Sequence, residues 1–316
     1  MSKYSNISTH IISGFLGAGK TTAIKHLLSK KPEAERWAVI VNEFGKVGID
    51  GTLLKNDAVE IREIAGGCLC CVSSQLLSVG LNQIIKTVNP HRILIEPTGL
   101  GHPQKLIDFL TGEYYQSVLN LKAVINLLDA RQLKDSRYTE HKAFVDQVQL
   151  ADILIANKAD LYTEEDRLMF YQYAASFLPA IDRLFMVSRG RLELEWLEYP
   201  HSTERRSQFP KAHQHISADK NTDDVSVQEN RSGWTMVQGG AEDYLSIGWV
   251  IKAESVFSEQ RLLAWLEKIN QSCKIERIKG VMHTESGWIL INITRTEREI
   301  LPCEENTLSI VEVVFF

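Results

Sequence analysis

The stretch GGCLCC, residues 66–71, holds three of the chain's five cysteines: Cys68, Cys70 and Cys71. Thiolates suit soft and borderline ions, and a tetrahedral Zn²⁺ takes four ligands, with sulfur at about 2.3 Å. Three thiols leave that shell open, which is what a transfer site needs and a structural site avoids. Cys68 and Cys70 project to one side of an extended chain, and Cys71 joins them only if the loop kinks, as Gly66 and Gly67 permit. Glu43 is a candidate oxygen ligand and His102 a candidate nitrogen ligand. Reduced thiols without metal, or a redox sensor, are the competing readings of the cluster. For His102 the competing reading is a solvated residue at the start of the helical pattern PQKLIDFL.

A second set of residues handles phosphate. GFLGAGKTT, residues 14–22, follows the apolar run THIIS and opens the helical pattern TAIKHLLSK. In that context the backbone of Gly14, Gly17, Ala18 and Gly19 wraps phosphate oxygens, with Lys20, Thr21 and Thr22 at the helix start. Lys20 is predicted to reach the β and γ phosphates and the Thr21 hydroxyl to sit on Mg²⁺. NKAD, residues 157–160, ends the apolar run DILIA. Asp160 accepts from the N1–H and exocyclic amine of guanine, a donor pair that adenine lacks. Asn157 bonds the base or the loop, the Lys158 stem covers the ring, and Ser188 in MVSRG adds a further base contact. The nucleotide expected is therefore GTP, not ATP, and a small-molecule kinase is disfavoured for the same reason.

Glu96 ends the apolar run RILIE and is followed by PTGLG. It is placed to hold the Mg²⁺ shell or orient water, while Gly99 offers its N–H to the γ-phosphate and moves when that group leaves. Asp50, in the glycine-bounded VNEFGKVGIDG, approaches Mg²⁺ through water or is a plain turn aspartate. No glutamine or arginine is placed to accelerate attack by water, so slow turnover is expected.

Short apolar runs (THIIS, WAVIV, RILIE, KAVINLL, DILIA, RLFMVS) alternate with helical patterns up to about residue 200. That alternation predicts an α/β fold: a mostly parallel sheet with helices on both faces, which sets the phosphate and base motifs at strand ends. Residues 201–232 are polar, lack an apolar period, and read as a linker, with His201, His213 and His215 as solvated side chains. From 233 to 316 the order strand, helix, strand, strand, strand predicts a small α+β domain with its helix on one face of an antiparallel sheet. The expected domains are thus 1–200 and 233–316. A length of 316 residues accommodates two such cores.

The formal net charge of -5 argues against a general nucleic-acid binder. No segment offers the roughly 20 apolar residues of a spanning helix, and the first residues lack a signal-peptide core, so the cytoplasm is the expected compartment. There a reducing milieu keeps thiols available for metal. Cys273 and Cys303 stand alone and read as small packed side chains.

Together GFLGAGKTT, VNEFGKVGIDG, GGCLCC, IEPTGLG and NKAD resemble the CobW family of P-loop GTPases, from about residue 8 to residue 190. RIKGVMHT and GWILINIT resemble the family's carboxy-terminal domain. The resemblance implies a metal-trafficking GTPase that couples GTP binding and hydrolysis to metal held at a CxCC motif, here Cys68, Cys70 and Cys71. Zinc is the metal expected, with cobalt in the cobalamin-linked branch, and the implied partners are GTP and GDP, a transition-metal ion and a client metalloprotein. A homodimer is open. The alternative is a metal-binding scaffold or buffer that holds GTP without hydrolysing it. Two departures bear on the metal site. Val41 and Lys46 stand where carboxylates are common in the family, and Gly101 and His102 follow the switch Gly-Leu in place of alanine and aspartate.

Overall fold

A computed structural model describes residues 4–42, 59–64, 74–209, 227–229, 233–241, 244–271 and 275–316. The chain divides into two compact units. Glu43, Lys46, Asp50, Cys68, Cys70, Cys71, His213, His215 and Cys273 lie outside the described residues. Among the described residues no helix is long and apolar enough to cross a membrane.

The first unit runs β1 (Ile7–Gly14), α1 (Lys20–Ser29), β2 (Trp37–Asn42), β3 (Glu60–Ile64), α2 (Ser74–Val88), β4 (Arg92–Glu96), α3 (Pro103–Thr111), β5 (Leu119–Leu121), β6 (Ile125–Leu128), α4 (Ser136–Thr139), α5 (Lys142–Gln149), β7 (Ile153–Ala156), α6 (Glu164–Ala175) and β8 (Arg183–Met186). The sheet order is β3-β2-β4-β1-β6-β7-β8, with β5 also beside β1. All of these pairings are parallel. Parallel neighbours need crossovers, so both sheet faces acquire helices and both must be apolar. Period-two alternation divides the strand residues accordingly. Ile12, Val39, Val41 and Leu94 pack with Ala23, Ile24 and Leu27 of α1. Ile11, Ile40, Ile93 and Ile95 pack with Leu81 and Ile84 of α2 and Leu106 and Leu110 of α3. The chain builds outward from β1 on one side, then returns across it to build on the other. The crevice at the carboxyl end of β1 is therefore the switch point at which such sheets bind ligands.

The segment expected to link the domains begins with residues 201–209 packed on this unit. His201 Nδ1 lies 2.8 Å from Asp152 Oδ2, so this histidine is a bonded side chain and not a solvated one. The buried Arg205 guanidinium donates to the carbonyls of Gln149, Pro179 and Ala180.

The second unit contains β9 (Val227–Glu229), β10 (Trp234–Ala241), β11 (Tyr244–Lys252), α7 (Glu259–Asn270), β12 (Ile275–Thr284), β13 (Gly287–Thr294), β14 (Arg298–Pro302) and β15 (Leu308–Phe315). Its strands form an antiparallel sheet in the order β14-β13-β12-β15-β11-β10-β9. Leu262 and Leu266 of α7 pack on Ile278, Met282, Ile291, Ile293, Val311 and Val313, the helix on one face that the pattern predicted. β9, β10 and β14 are additional. β14 is an edge strand that exposes most of its residues and ends on Pro302, so it carries no apolar alternation.

Candidate functional site

β1 delivers Gly14 to the crevice, and the loop that follows is shaped by glycines no other residue could replace. Gly14 has φ 147, and a Cβ there would lie 2.4 Å from Leu127 O of the neighbouring β6. Gly19 has φ 93, and a Cβ there would meet Asn157 Nδ2 at 2.4 Å. Left-handed and crowded positions of this kind admit only glycine. Phe15 anchors the outer side of the loop, its ring edge-on to Tyr138 and Phe144 and 5.1 Å from His141. α1 then starts at Lys20 with its first N–H groups facing the loop, the arrangement that attracts phosphate. Lys20 is buried, and its Nζ donates to Phe15 O at 3.3 Å. Thr22 is exposed at the helix start.

The tip of β4 supplies the opposite wall. Thr21 Oγ1 donates to Glu96 Oε1 at 3.1 Å, joining the predicted Mg²⁺ hydroxyl to the predicted acid. Glu96 itself is buried. Thr98 to Gly101 form a turn closed by Gly101 N–H to Thr98 O at 3.1 Å. A Cβ on Gly99 would lie 2.8 Å from Leu16 Cδ2, so this glycine touches the phosphate loop itself.

The base end is a separate framework. Asn157 donates through Nδ2 to Ala18 O at 2.9 Å and accepts from Gly190 N–H through Oδ1 at 2.9 Å. Its side chain thus clasps the phosphate loop to the Ser188–Gly190 turn, the loop contact of the two expected for it. Gly190 is needed there, since a Cβ would come within 2.7 Å of Ala23 N. Lys158 adopts φ 66 and its Nζ lies 3.6 Å from the buried Asp129 carboxylate, which Arg131 also pairs. Asp160 is exposed and Ser188 half-exposed, open to a base. Tyr162 accepts from Ala130 N–H at 2.8 Å and donates to Asn157 O. Burial pushes its phenol well above the ordinary tyrosine range, so it remains a donor.

His102 is not the solvated side chain of one reading: it is buried, at the N-cap of α3, with Nδ1 3.1 Å from Asp146 Oδ2, while the other residues of the ligand reading, Glu43 and the three thiols, lie outside the described residues. A carboxylate only accepts, so Nδ1 carries the proton. Asp146 also accepts from Ser207 Oγ and from Gln208 N–H at 2.9 Å. The end of the switch segment and the packed 201–209 strap thus share one buried carboxylate. Asp146→Ala is expected to strand these donors and to destabilise the first unit by about 2–4 kcal/mol, read as a lower midpoint in urea unfolding followed by far-UV circular dichroism. Of the metal set, Thr21, Glu96 and His102 are described. Among the described residues there is no cluster of three or more His, Cys, Asp or Glu side chains that could hold an ion.

Gln147, Asp146, Tyr162 and Gly190 are the site residues that sequence reasoning missed. Only Gly190, beside Ser188, left a signal in the sequence.

A family model described as the CobW/HypB/UreG nucleotide-binding domain matches residues 8–178, and the cobalamin synthesis protein cobW C-terminal domain matches residues 246–307. The chain is 38% identical over 287 residues to the zinc chaperone YeiR of Escherichia coli, covering 90% of this chain and 85% of the relative. It is 32% identical over 225 residues to the zinc chaperone CobW of Pseudomonas aeruginosa, covering 61% of this chain and 60% of the relative. It is 33% identical over 168 residues to the E. coli zinc chaperone YjiA, covering 51% and 52%.

Proposed function

Since the chain belongs to the CobW/HypB/UreG family, we propose that it is a GTP-hydrolysing metallochaperone that couples nucleotide turnover to binding and delivery of zinc in the cytoplasm. The observation that carries the GTPase half is the convergence of Thr21, Glu96 and Gly99 on one phosphate loop. The Thr21 hydroxyl and Glu96 carboxylate offer the hard oxygen donors that suit Mg²⁺, which when bound would neutralise charge on the transferring phosphoryl group. Lys20 binds the terminal phosphates, Gly99 senses the γ-phosphate through its N–H, and Asp160 selects guanine. The side chain of the buried Leu100, directly after the switch glycine, has no polar group to orient a water, in keeping with slow turnover.

The metal half rests on Cys68, Cys70 and Cys71 and on the names of the relatives. An incomplete thiolate shell completed by Glu43 or by a client would release its ion readily, and a client metalloprotein is the partner this function requires. The test is metal content of the reduced, purified protein against a triple Cys68, Cys70, Cys71→Ala variant, with zinc affinity measured with a GTP analogue and with GDP. Close to one zinc per chain, lost in the variant, and affinities that differ between nucleotides are expected. Equal affinities would sink the coupling.

A further inference from the structure

Gln147 lies on α5, is 1% exposed, and touches none of the motifs by sequence. Its Nε2 nevertheless lies 2.9 Å from Gly99 O and 2.9 Å from Gly101 O. Both amide protons are therefore spent on the two carbonyls of the switch turn. Its Oε1 is buried without a hydrogen-bond partner among the described residues. An unsatisfied buried oxygen is destabilising, so the side chain is a poor choice for stability alone. Its orientation is nonetheless fixed, because the flipped amide would set its oxygen against both carbonyls.

Peptide planarity carries the consequence outward. Holding Gly99 C=O toward α5 aims the Leu100 N–H the opposite way, and holding Gly101 C=O does the same for the His102 N–H. Gly99 meanwhile touches Leu16 of the phosphate loop. Leu100 is apolar and buried, so the orientation of this turn toward phosphate depends on its backbone. We infer that Gln147 is a positioning residue for GTP hydrolysis, clamping the Thr98–Gly101 turn in the conformation that meets the γ-phosphate. The inference rests on the GTPase reading above and deepens it.

Gln147→Met keeps the length and removes both donors; Gln147→Glu replaces them with acceptors. The full-length variants are compared with wild type in single-turnover phosphate release and in affinity for GDP and for a non-hydrolysable GTP analogue. Hydrolysis is expected to fall by about 10- to 100-fold, the cost of a misplaced reacting geometry. GDP affinity stays within about twofold, while the preference for the analogue over GDP falls severalfold, because only the γ-phosphate reads the turn. A loosened fold would weaken both nucleotides alike. A folded Gln147→Met variant with wild-type hydrolysis and wild-type preference for the analogue would overturn the inference, as would parallel loss of GDP and analogue affinity. Absence of phosphate release from the wild type would instead overturn the GTPase reading, and the analogue-to-GDP ratio would still decide whether Gln147 positions the turn.

Discussion

Asp160→Asn is expected to weaken GTP by at least about 10²-fold and to bring xanthosine triphosphate into the affinity range that wild type shows for GTP. Guanine presents two donors, N1–H and the exocyclic amine, to a carboxylate with two acceptor oxygens. An asparagine amide turns one acceptor into a donor and sets it against a guanine donor, whereas xanthine carries a carbonyl there and accepts from it. Asp160 is exposed, and its loop is held by other residues: Asn157 on Ala18 and Gly190, Tyr162 on Ala130, and the left-handed Lys158. The substitution therefore changes recognition while stability moves by no more than about 0.5 kcal/mol. Competition binding with GTP, ATP and xanthosine triphosphate checks it. Unchanged GTP affinity would remove Asp160 from the base site and return the nucleotide's identity to an open question.

The parts of this site legible in the sequence are those where one position demands one residue type for a local reason. Gly14 and Gly19 are visible because their backbone conformations exclude side chains, and Asp160 because the guanine contact proposed for it calls for a carboxylate. β5, of three residues, is too short to show a pattern; β1, β2, β4, β6 and β7 are visible because burial on both faces produces continuous apolar runs. β3 is not, since its EIREI sequence mixes charges into an edge strand that closes one end of the sheet. Gln147 and Asp146 escaped because their partners are carbonyls, ring nitrogens and amides far along the chain, which a helical pattern such as KAFVDQVQ does not encode. The 201–209 strap was hidden by composition. A polar residue that bonds water and one that bonds buried carbonyls, as Arg205 does, look alike in a sequence.

Lys20→Ala is expected to lower GTP hydrolysis by about 10³-fold, the scale of losing a charge that meets the transferring group. Lys20 sits at the first position of α1 with its buried ammonium curled onto Phe15 O, beside glycines whose positions exclude side chains. Removing it takes away the single side-chain charge that rises from the floor of that loop, whereas the backbone N–H groups and the helix end remain. GDP should therefore be retained better than GTP, and a larger loss for GDP would displace Lys20 from the γ-phosphate. The same variant tests the coupling to metal. If GTP changes zinc affinity by some factor, zinc must change GTP affinity by that factor, since both describe one free-energy difference. A Lys20→Ala chain that still binds zinc through its thiols should lose both factors together, each collapsing toward unity in paired titrations of zinc against nucleotide and nucleotide against zinc. Survival of both factors at their wild-type size in Lys20→Ala would show that the metal site responds to nucleotide without Lys20, and would overturn coupling through the γ-phosphate.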